Sequence, residues 1–408
     1  MPAVLLQVRL KNFKSFVDQT IELGPTTLLV GANASGKSNL LDAILFLQGL
    51  AQGLPVGEIL RGRWEGGRLT WPGVRGGAAE IARHSSTSFE IHSMWQLGAK
   101  VVQHEVEVSL TDEALIEREK LADLSDAYFD THRPSLGSAV GRQPSGSLRV
   151  ALRTSGTGRW PSAEYAASRS LLTQIVAQAG AAPAVTETIE ALRDAIQQST
   201  FLDLRPAQMR QHAPRKISTL GANGENVSAL LWQLAQDPAR KQDVIDWLSE
   251  LCAPEIADIQ FDSSTLLEEV MMILVERDGT KVSARSLSDG TLRFIGQLVA
   301  LLTHAKGQIL LVEEIENGLH PARVHLLIEL IERITRAEDR QVIASTHSPL
   351  ALRALSKSGL ANAVVFGRTP DVQGSVMRRL GDLPHFEEVA ERRGVDHLFT
   401  TRWLERAL

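Results

Sequence analysis

The sequence predicts an α/β fold: a largely parallel sheet with flanking helices, joined to an inserted, mainly helical lobe. Residues 26–30 (TTLLV) form a buried-type strand that leads through glycine into the helical pattern SNLLDAILFLQGL. After residue 259, apolar strand segments (QILLV, QVIAS) alternate with helical segments. Solid apolar strands that alternate with helices are typical of a parallel sheet covered on both faces.

Composition limits the classes of protein that this chain can represent. The 408 residues carry a net charge of −5, with 43% hydrophobic and 22% charged residues. These ordinary values exclude global disorder and leave room for two domains, or one with an insertion. The single Cys252 excludes a disulfide framework and a Cys-based zinc site. We expect a cytoplasmic protein, because the sequence shows neither a secretory leader nor an apolar run of about 20 residues.

Three strands are predicted before residue 31, at Val4–Leu10, Phe16–Leu23 and Thr26–Val30. Ser88–Leu97 and Val101–Leu110 are predicted to pair as a hairpin around Gly98. The pattern from residue 171 to 251 is mostly helical. We therefore expect residues 1–110 and 260–408 to form the α/β unit, and residues 111–259 to form the inserted lobe.

GANASGKS (residues 31–38) fits the phosphate-loop pattern G-x-x-x-x-G-K-[ST], with a strand before it and a helix after it. Gly31 and Gly36 would let backbone N–H groups point at phosphate oxygens. Lys37 would neutralise the β- and γ-phosphates, and Ser38 would ligate Mg²⁺. The alternative is a chance glycine-rich turn. The residues predicted to contact nucleotide here are Gly31, Asn33, Ala34, Ser35, Gly36, Lys37, Ser38 and Asn39.

A pair of carboxylates follows the predicted strand Ile309–Val312. Ligands of such sheets lie at the carboxyl ends of the strands. Glu313 would then belong to the Mg²⁺ shell, and Glu314 would polarise the attacking water as a general base. Paired carboxylates are also common on plain surfaces, so this prediction depends on the phosphate loop upstream.

Two further segments lie next to predicted helix starts. SLSDG (residues 286–290) opens a helix, so Ser288 and Gly290 form a candidate second anion site, or an ordinary helix cap. STHSP (residues 345–349) follows the strand QVIA and places His347 where it would reach a γ-phosphate. A lone histidine is more often structural, so its role depends on its neighbours.

In this order, the segments resemble those of RecF/SMC-like, AAA-type ATPases of the ABC class, including the ATPase part of OLD-family proteins. GANASGKS looks like Walker A, SLSDG-T like the ABC signature, and ILLVEE like Walker B with the catalytic glutamate. ENGLHP resembles a D-loop and STHSP an H-loop; LKNFKSF and Leu220–Leu234 also resemble segments of this group. The resemblance covers residues 1–110 and 260–408 well and implies a P-loop NTPase fold, the ABC-type head.

The resemblance also implies a mechanism and cofactors. Two heads would enclose two ATP molecules with Mg²⁺, each held by Walker A of one chain and by Ser288 and Gly290 of the other. The group usually has Asp where this chain has Glu313, and the glutamine of its Q-loop has no clear counterpart here.

Several partners are compatible with such a head. The first is a separate effector protein that the head switches, as in bacterial defence or toxin-like modules. The second is DNA, as in RecF-type repair; the basic cluster Arg205, Arg210, Arg215 and Lys216 is its candidate contact, or else a solvated face. A transporter subunit and a scaffold that binds ATP but hardly hydrolyses it are further alternatives. A nuclease or toxin would have to be a separate chain, and no membrane partner is expected.

Overall fold

The computed structural model describes residues 3–84, 86–132, 141–142, 146–153, 162–175, 182–217, 219–251, 255–264, 268–337, 340–369 and 372–408. Cys252 lies outside these ranges. Among the described residues, no helix combines the length and the apolar composition that crossing a membrane requires.

The strands, in chain order, are β1 (Ala3–Phe13), β2 (Phe16–Glu22), β3 (Thr26–Gly31), β4 (Arg63–Glu65), β5 (Arg68–Trp71), β6 (Ser88–Leu97), β7 (Lys100–Ser109), β8 (Leu115–Asp123), β9 (Ala127–Asp130), β10 (Gly141–Arg142), β11 (Ser147–Leu152), β12 (Ser162–Ala166), β13 (Thr200–Leu202), β14 (Ala213–Pro214), β15 (Ile256–Ser264), β16 (Glu269–Glu276), β17 (Lys281–Ser283), β18 (Ile309–Val312), β19 (Gln341–Thr346), β20 (Val364–Gly367) and β21 (Val376–Arg379).

The helices are α1 (Lys37–Ala51), α2 (Val56–Arg61), α3 (Gly77–Ile81), α4 (Leu171–Gln174), α5 (Pro183–Gln197), α6 (Pro206–Met209), α7 (Val227–Leu234), α8 (Pro238–Leu251), α9 (Asp289–Thr303), α10 (Val324–Ala337), α11 (Pro349–Ala354), α12 (Lys357–Asn362), α13 (Phe386–Arg393), α14 (Val395–Thr400) and α15 (Trp403–Arg406). Short 3-10 turns cover Pro321–Arg323 and Leu380–Asp382.

The central sheet has the strand order β13-β18-β19-β3-β20-β21, with β21 antiparallel to an otherwise parallel set. Its residues alternate between two hydrophobic cores. Leu29 of β3 belongs to the core that contains α1, whereas Leu28 and Val30 belong to the core that contains α9 and α10. Apolar residues on both faces explain why these strands are continuous hydrophobic runs, and the predicted mixed sheet with flanking helices is confirmed.

A second, antiparallel sheet runs β10-β11-β9-β8-β7-β6-β1-β2, with β12 paired to β11. The predicted hairpin is confirmed: β6 pairs with β7 around Gly98, which has a positive φ of 60°. A smaller sheet contains β14 to β17, and β4 pairs with β5 as an isolated hairpin.

The segment from residue 111 to 259 is less helical than expected. Strands β8 to β12 extend the antiparallel sheet, and β13 joins the central sheet. The charges in β8 hid this strand, because they pair across the sheet on both of its faces. Arg118 and Lys120 contact Glu105 of β7, at 3.3 and 3.5 Å, and the buried Glu119 contacts His104 of β7 at 2.8 Å. Helices dominate only from α4 onward, and the division of the chain into a head and an inserted lobe stays a prediction.

Candidate nucleotide site

The phosphate loop connects β3 to α1, as the sequence predicts. Gly31 has φ +149° and Gly36, directly before α1, has φ +115°. A Cβ at Gly31 would lie 2.3 Å from the carbonyl oxygen of Phe366, so only glycine fits this close approach. Asn33 and Ala34 are exposed at the tip of the loop, and Ala34 also has a positive φ, of 61°.

Lys37 is folded back under this loop. Its Nζ donates to the carbonyl oxygens of Gly31 at 2.7 Å and Ala32 at 2.9 Å, and the residue is only 6% exposed. Burial lowers the pKa of Lys37 from its ordinary value, and the nearby carboxylates of Glu314 and Glu316 oppose that shift. A buried ammonium whose hydrogen bonds within the described part of the chain go to loop carbonyls is suited to an anion that would exchange with those carbonyls.

The loop fits a phosphate in two further respects. The buried Oγ of Ser35 has no hydrogen-bond partner among the described residues. The glycine cradle leaves room that a Cβ would fill, since a Cβ at Gly36 would lie 2.9 Å from Oγ of Ser375. Asn39 is directed away, because its Nδ2 donates to Oγ of Ser15 at 2.7 Å.

Ser38 and Glu313, the predicted Mg²⁺ ligands, are joined by one guanidinium. Arg75 donates through Nη1 to both carboxylate oxygens of Glu313, at 2.9 and 3.2 Å, and through Nη2 to the carbonyl oxygen of Ser38 at 2.9 Å. Its Nε donates to the buried Asp42 at 3.0 Å, which Lys14 also contacts at 2.5 Å. The guanidinium therefore bridges the Glu313 carboxylate and the backbone of Ser38. The Ser38 hydroxyl and the Glu313 carboxylate are a donor set that Mg²⁺ accepts.

Glu314 is exposed beyond the end of β18 and has a left-handed backbone, with φ +47°. Its amide donates to Oγ of Ser345 at 2.9 Å, and its Oε2 accepts from Nδ2 of Asn317 at 3.3 Å. A non-glycine residue at positive φ costs on the order of 1–3 kcal/mol and commonly marks a functional position. His347 follows β19, with its Nε2 4.0 Å from Oε1 of Glu314. The structure thus brings these two predicted residues together.

The SLSDG segment lies at the start of α9. Ser288 is the N-cap: its Oγ accepts from the amide of Thr291 at 3.1 Å. Gly290 packs on the D-loop-like segment, where a Cβ would lie 2.1 Å from the carbonyl oxygen of Gly318. Ser288 and Asp289 are exposed. The segment is therefore an ordinary helix cap whose polar face remains open to another molecule.

Each residue of the basic cluster has its own partner within the chain. Arg205 pairs with Asp203, Arg210 with Asp289 and Lys216 with Glu268, at 2.7 to 2.8 Å. Arg215 lies over the ring of Trp232, 5.4 Å from its centroid. This distribution favours the interpretation of the cluster as a solvated, paired face.

Sequence reasoning missed three residues of this region. Arg75 comes from a glycine-rich segment with no helix or strand pattern. Glu316 accepts from the amide of His347 at 2.6 Å through Oε1. Glu405, near the end of the chain, accepts from the amide of Ala32 at 3.1 Å. Their contacts join distant parts of the chain, so no local pattern could have indicated them.

Comparisons with known proteins agree with this architecture. The family model "AAA domain, putative AbiEii toxin, Type IV TA system" matches residues 161–353, and the model "AAA domain" matches residues 7–53. No curated protein matches the chain in sequence.

Three solved structures are similar to the chain at low sequence identity. An SMC head with an extended coiled coil from Pyrococcus furiosus, bound to the C-terminal domain of ScpA, is 13% identical with a TM-score of 0.50, over 96% of this chain and 100% of that chain. The SMC head of Thermotoga maritima is 13% identical with a TM-score of 0.43, over 92% of this chain and 98% of that chain. An SMC head bound to the C-winged helix domain of ScpA is 15% identical with a TM-score of 0.48, over 92% of this chain and 96% of that chain. The fold is that of an SMC head domain, and two stretches of the chain match models of AAA-type domains.

Proposed function

We propose that this chain binds and hydrolyses ATP, that ATP joins two copies head to head, and that this change switches a separate effector protein. The observation that carries the proposal is the division of the site. The phosphate loop, Glu313, Glu314 and His347 lie together at the ends of β3, β18 and β19, whereas Ser288 is exposed at the start of α9.

Different groups of this chain would bind the phosphates and the metal ion of Mg·ATP. Lys37 and the loop amides would hold the β- and γ-phosphates, and Ser38 with Glu313 would hold the metal ion. Mg²⁺, when bound, supplies positive charge that offsets the charge on the phosphate oxygens. Arg75 would have to release Glu313 for this to happen, because its guanidinium now uses both carboxylate oxygens.

Glu314 would accept a hydrogen bond from the attacking water and take its proton as general base. His347 would donate a hydrogen bond to the γ-phosphate from the same edge of the sheet. The hydrogen bond from the Glu314 amide to Ser345 holds the backbone at its positive φ, and the contact with Asn317 holds the carboxylate. Such preorganisation lets the group act without a costly rearrangement.

A second copy would complete each site. The N-terminus of α9 carries the positive end of the helix dipole and an exposed serine hydroxyl, which together suit a phosphate. Ser288 and Gly290 of one copy would then contact the γ-phosphate held by Lys37 of the other.

An effector protein is favoured over DNA by two surface features. Arg205, Arg210 and Lys216 of the basic cluster are paired with carboxylates, which weakens the case for a phosphate-backbone contact. Trp64 and Leu69, paired across the β4–β5 hairpin, are 67% and 45% exposed and form an apolar patch. The matched family description mentions a toxin system, and the Pyrococcus head is described as bound to a separate protein, ScpA. A RecF-type role on DNA and the link to OLD-family proteins remain the alternatives.

ATP turnover measured with and without duplex DNA tests this function. We expect turnover that DNA changes by less than about twofold, loss of ATP binding in Lys37→Ala, and ATP binding without turnover in Glu314→Gln. Strong stimulation by DNA would instead favour the RecF-type alternative. Wild-type turnover in Glu314→Gln would show that Glu314 is not the general base.

A further inference from the structure

The SLSDG segment contains an acidic residue where the proposed function requires it to accept a phosphate. The Asp289 side chain is 63% exposed and lies between Ser288 and Gly290. A carboxylate stabilises the N-terminus of a helix, but it repels an approaching triphosphate. Something must offset this charge if the segment is to complete a nucleotide site.

Arg210 supplies that charge. Its Nη2 donates to Oδ1 of Asp289 at 2.7 Å and to the carbonyl oxygen of Leu287 at 2.9 Å. Leu287 and Asp289 flank Ser288, so a single nitrogen fixes the backbone on one side of the serine and the carboxylate on the other. Charge-assisted hydrogen bonds of this kind are stronger and more directional than neutral ones.

The segment that carries Arg210 is itself anchored to the same helix. Met209 is buried, and its Cε and Cδ1 of Leu204 would each lie 2.9 Å from a Cβ at Gly296. Gly296 lies about two turns beyond Ser288 in α9. Arg210 therefore reaches the start of a helix to which its own neighbours are packed, and this packing fixes the geometry between them.

Arg210 differs in this respect from its basic neighbours. Arg205 pairs with Asp203 two residues away, and Lys216 with Glu268. Neither of these pairs includes a residue of SLSDG. Arg205 is thus a matched control: it has the same side chain and the same kind of partner, but the pair lies elsewhere.

We propose that Arg210 is a positioning residue for the nucleotide held by the other copy of the chain: it orients Ser288 and neutralises Asp289, so that the SLSDG segment can contact the partner's γ-phosphate. This inference rests on the shared sites of the proposed function. It assigns to the segment before α7 a role in assembling the dimer.

The test measures ATP-dependent dimerisation by native mass spectrometry or by energy transfer between labelled chains. All chains carry Glu314→Gln so that bound ATP persists. We expect Arg210→Ala to bind ATP as a monomer within about twofold of the parent but to dimerise about tenfold or more weakly. Arg205→Ala should dimerise normally, and Arg210→Lys should recover part of the loss.

Mixed dimers show in which site Arg210 acts. A Lys37→Ala chain has an intact SLSDG segment, and an Arg210→Ala chain has an intact phosphate loop, so together they form one complete site. The mixture should therefore dimerise with ATP more strongly than either variant does alone. Lys37→Ala mixed with Ser288→Arg is the reference, since it also leaves one complete site.

Two results would overturn the inference while leaving the proposed function in place. One is normal dimerisation of Arg210→Ala. The other is recovery in the reference mixture but none with Arg210→Ala, which would mean that Arg210 serves its own chain's fold or nucleotide. If the reference mixture also fails to dimerise, the proposal that two copies share each nucleotide site is wrong. The inference about Arg210 is then wrong as well.

Discussion

His347 Nε2 lies 4.0 Å from Oε1 of Glu314, although each follows a different strand. The two strands, β18 and β19, are parallel neighbours in which Val312 is paired with Ala344. This register places the first residues beyond both strands at one edge of the sheet. Glu314 and His347 are therefore brought together by the parallel pairing of β18 and β19. The distance between them cannot be read from the order of residues in the sequence.

Replacement of His347 by alanine should slow hydrolysis without preventing binding. Loss of a hydrogen bond made mainly to the reacting phosphate should lower turnover by about 10²-fold and change ATP affinity by less than about threefold. Steady-state turnover and equilibrium binding of a fluorescent ATP analogue would measure the two effects. His325→Ala, at an exposed position of α10, is the control; equal losses in both variants would contradict a role for His347.

Arg75→Ala should allow nucleotide binding at a lower Mg²⁺ concentration. Arg75 competes for both oxygens of Glu313, so its removal should lower the Mg²⁺ concentration for half-maximal ATP binding by about threefold to tenfold. The buried Asp42 also loses a partner, which should reduce the free energy of unfolding by about 1–3 kcal/mol.

A magnesium titration at fixed ATP concentration, combined with urea unfolding, measures both consequences of the Arg75 change. Arg68→Ala, exposed on β5, is the matched control. A higher Mg²⁺ requirement in Arg75→Ala would show that Arg75 assists the metal site and does not compete with it.

Gly290→Ala should separate ATP binding from dimerisation. A Cβ there would lie 2.1 Å from the carbonyl oxygen of Gly318, so the start of α9 must move away from the D-loop-like segment. We expect ATP binding close to the wild type, loss of the ATP-dependent dimer and a stability loss of about 1–3 kcal/mol. Gly57→Ala in α2 is the control, because its near neighbour is the flexible end of Arg61. An unchanged dimer would contradict the role of this packing.

The free energy of unfolding should decrease as the pH is lowered, because of His304. Burial lowers the pKa of this histidine to about 4, and the imidazole is 5% exposed with Nε2 unpaired among the described residues. Below pH 6.5 the unfolded chain takes up a proton that the folded chain does not. His304 should therefore destabilise the fold progressively between pH 6.5 and 4, by up to about 3 kcal/mol.

Urea unfolding followed by tryptophan fluorescence at pH 7.5 and pH 5 tests this effect. His304→Leu should have a smaller difference in unfolding free energy between the two pH values than the wild type. The same pH difference in both proteins would assign the acid sensitivity to other groups.

The phosphate loop, β3, β18 and β19 could be predicted because each has a local signal: a glycine pattern, or an apolar run followed by polar residues. Strands β8 to β12 could not be predicted. Their charged residues pair with a neighbouring strand, but in the sequence they have the composition of a solvated segment. The partners of Arg75 and Arg210 could not be predicted from the sequence for a different reason, although Arg210 is identified there as a member of the basic cluster. The two arginines contact Glu313, 238 residues away, and Asp289, 79 residues away, and such long-range pairs leave no periodicity.

A crosslinking measurement tests the central claim, that two copies share each nucleotide. One chain carries Asn33→Cys and a second, differently tagged chain carries Ser286→Cys; both have Cys252→Ser and Glu314→Gln. Asn33 is exposed in the phosphate loop, and Ser286 is exposed in the SLSDG segment. With a short bismaleimide, the account predicts crosslinks between the two different chains that require Mg·ATP and disappear when both chains also carry Lys37→Ala. Crosslinks that ignore ATP, or that join two Asn33→Cys chains only, would contradict it.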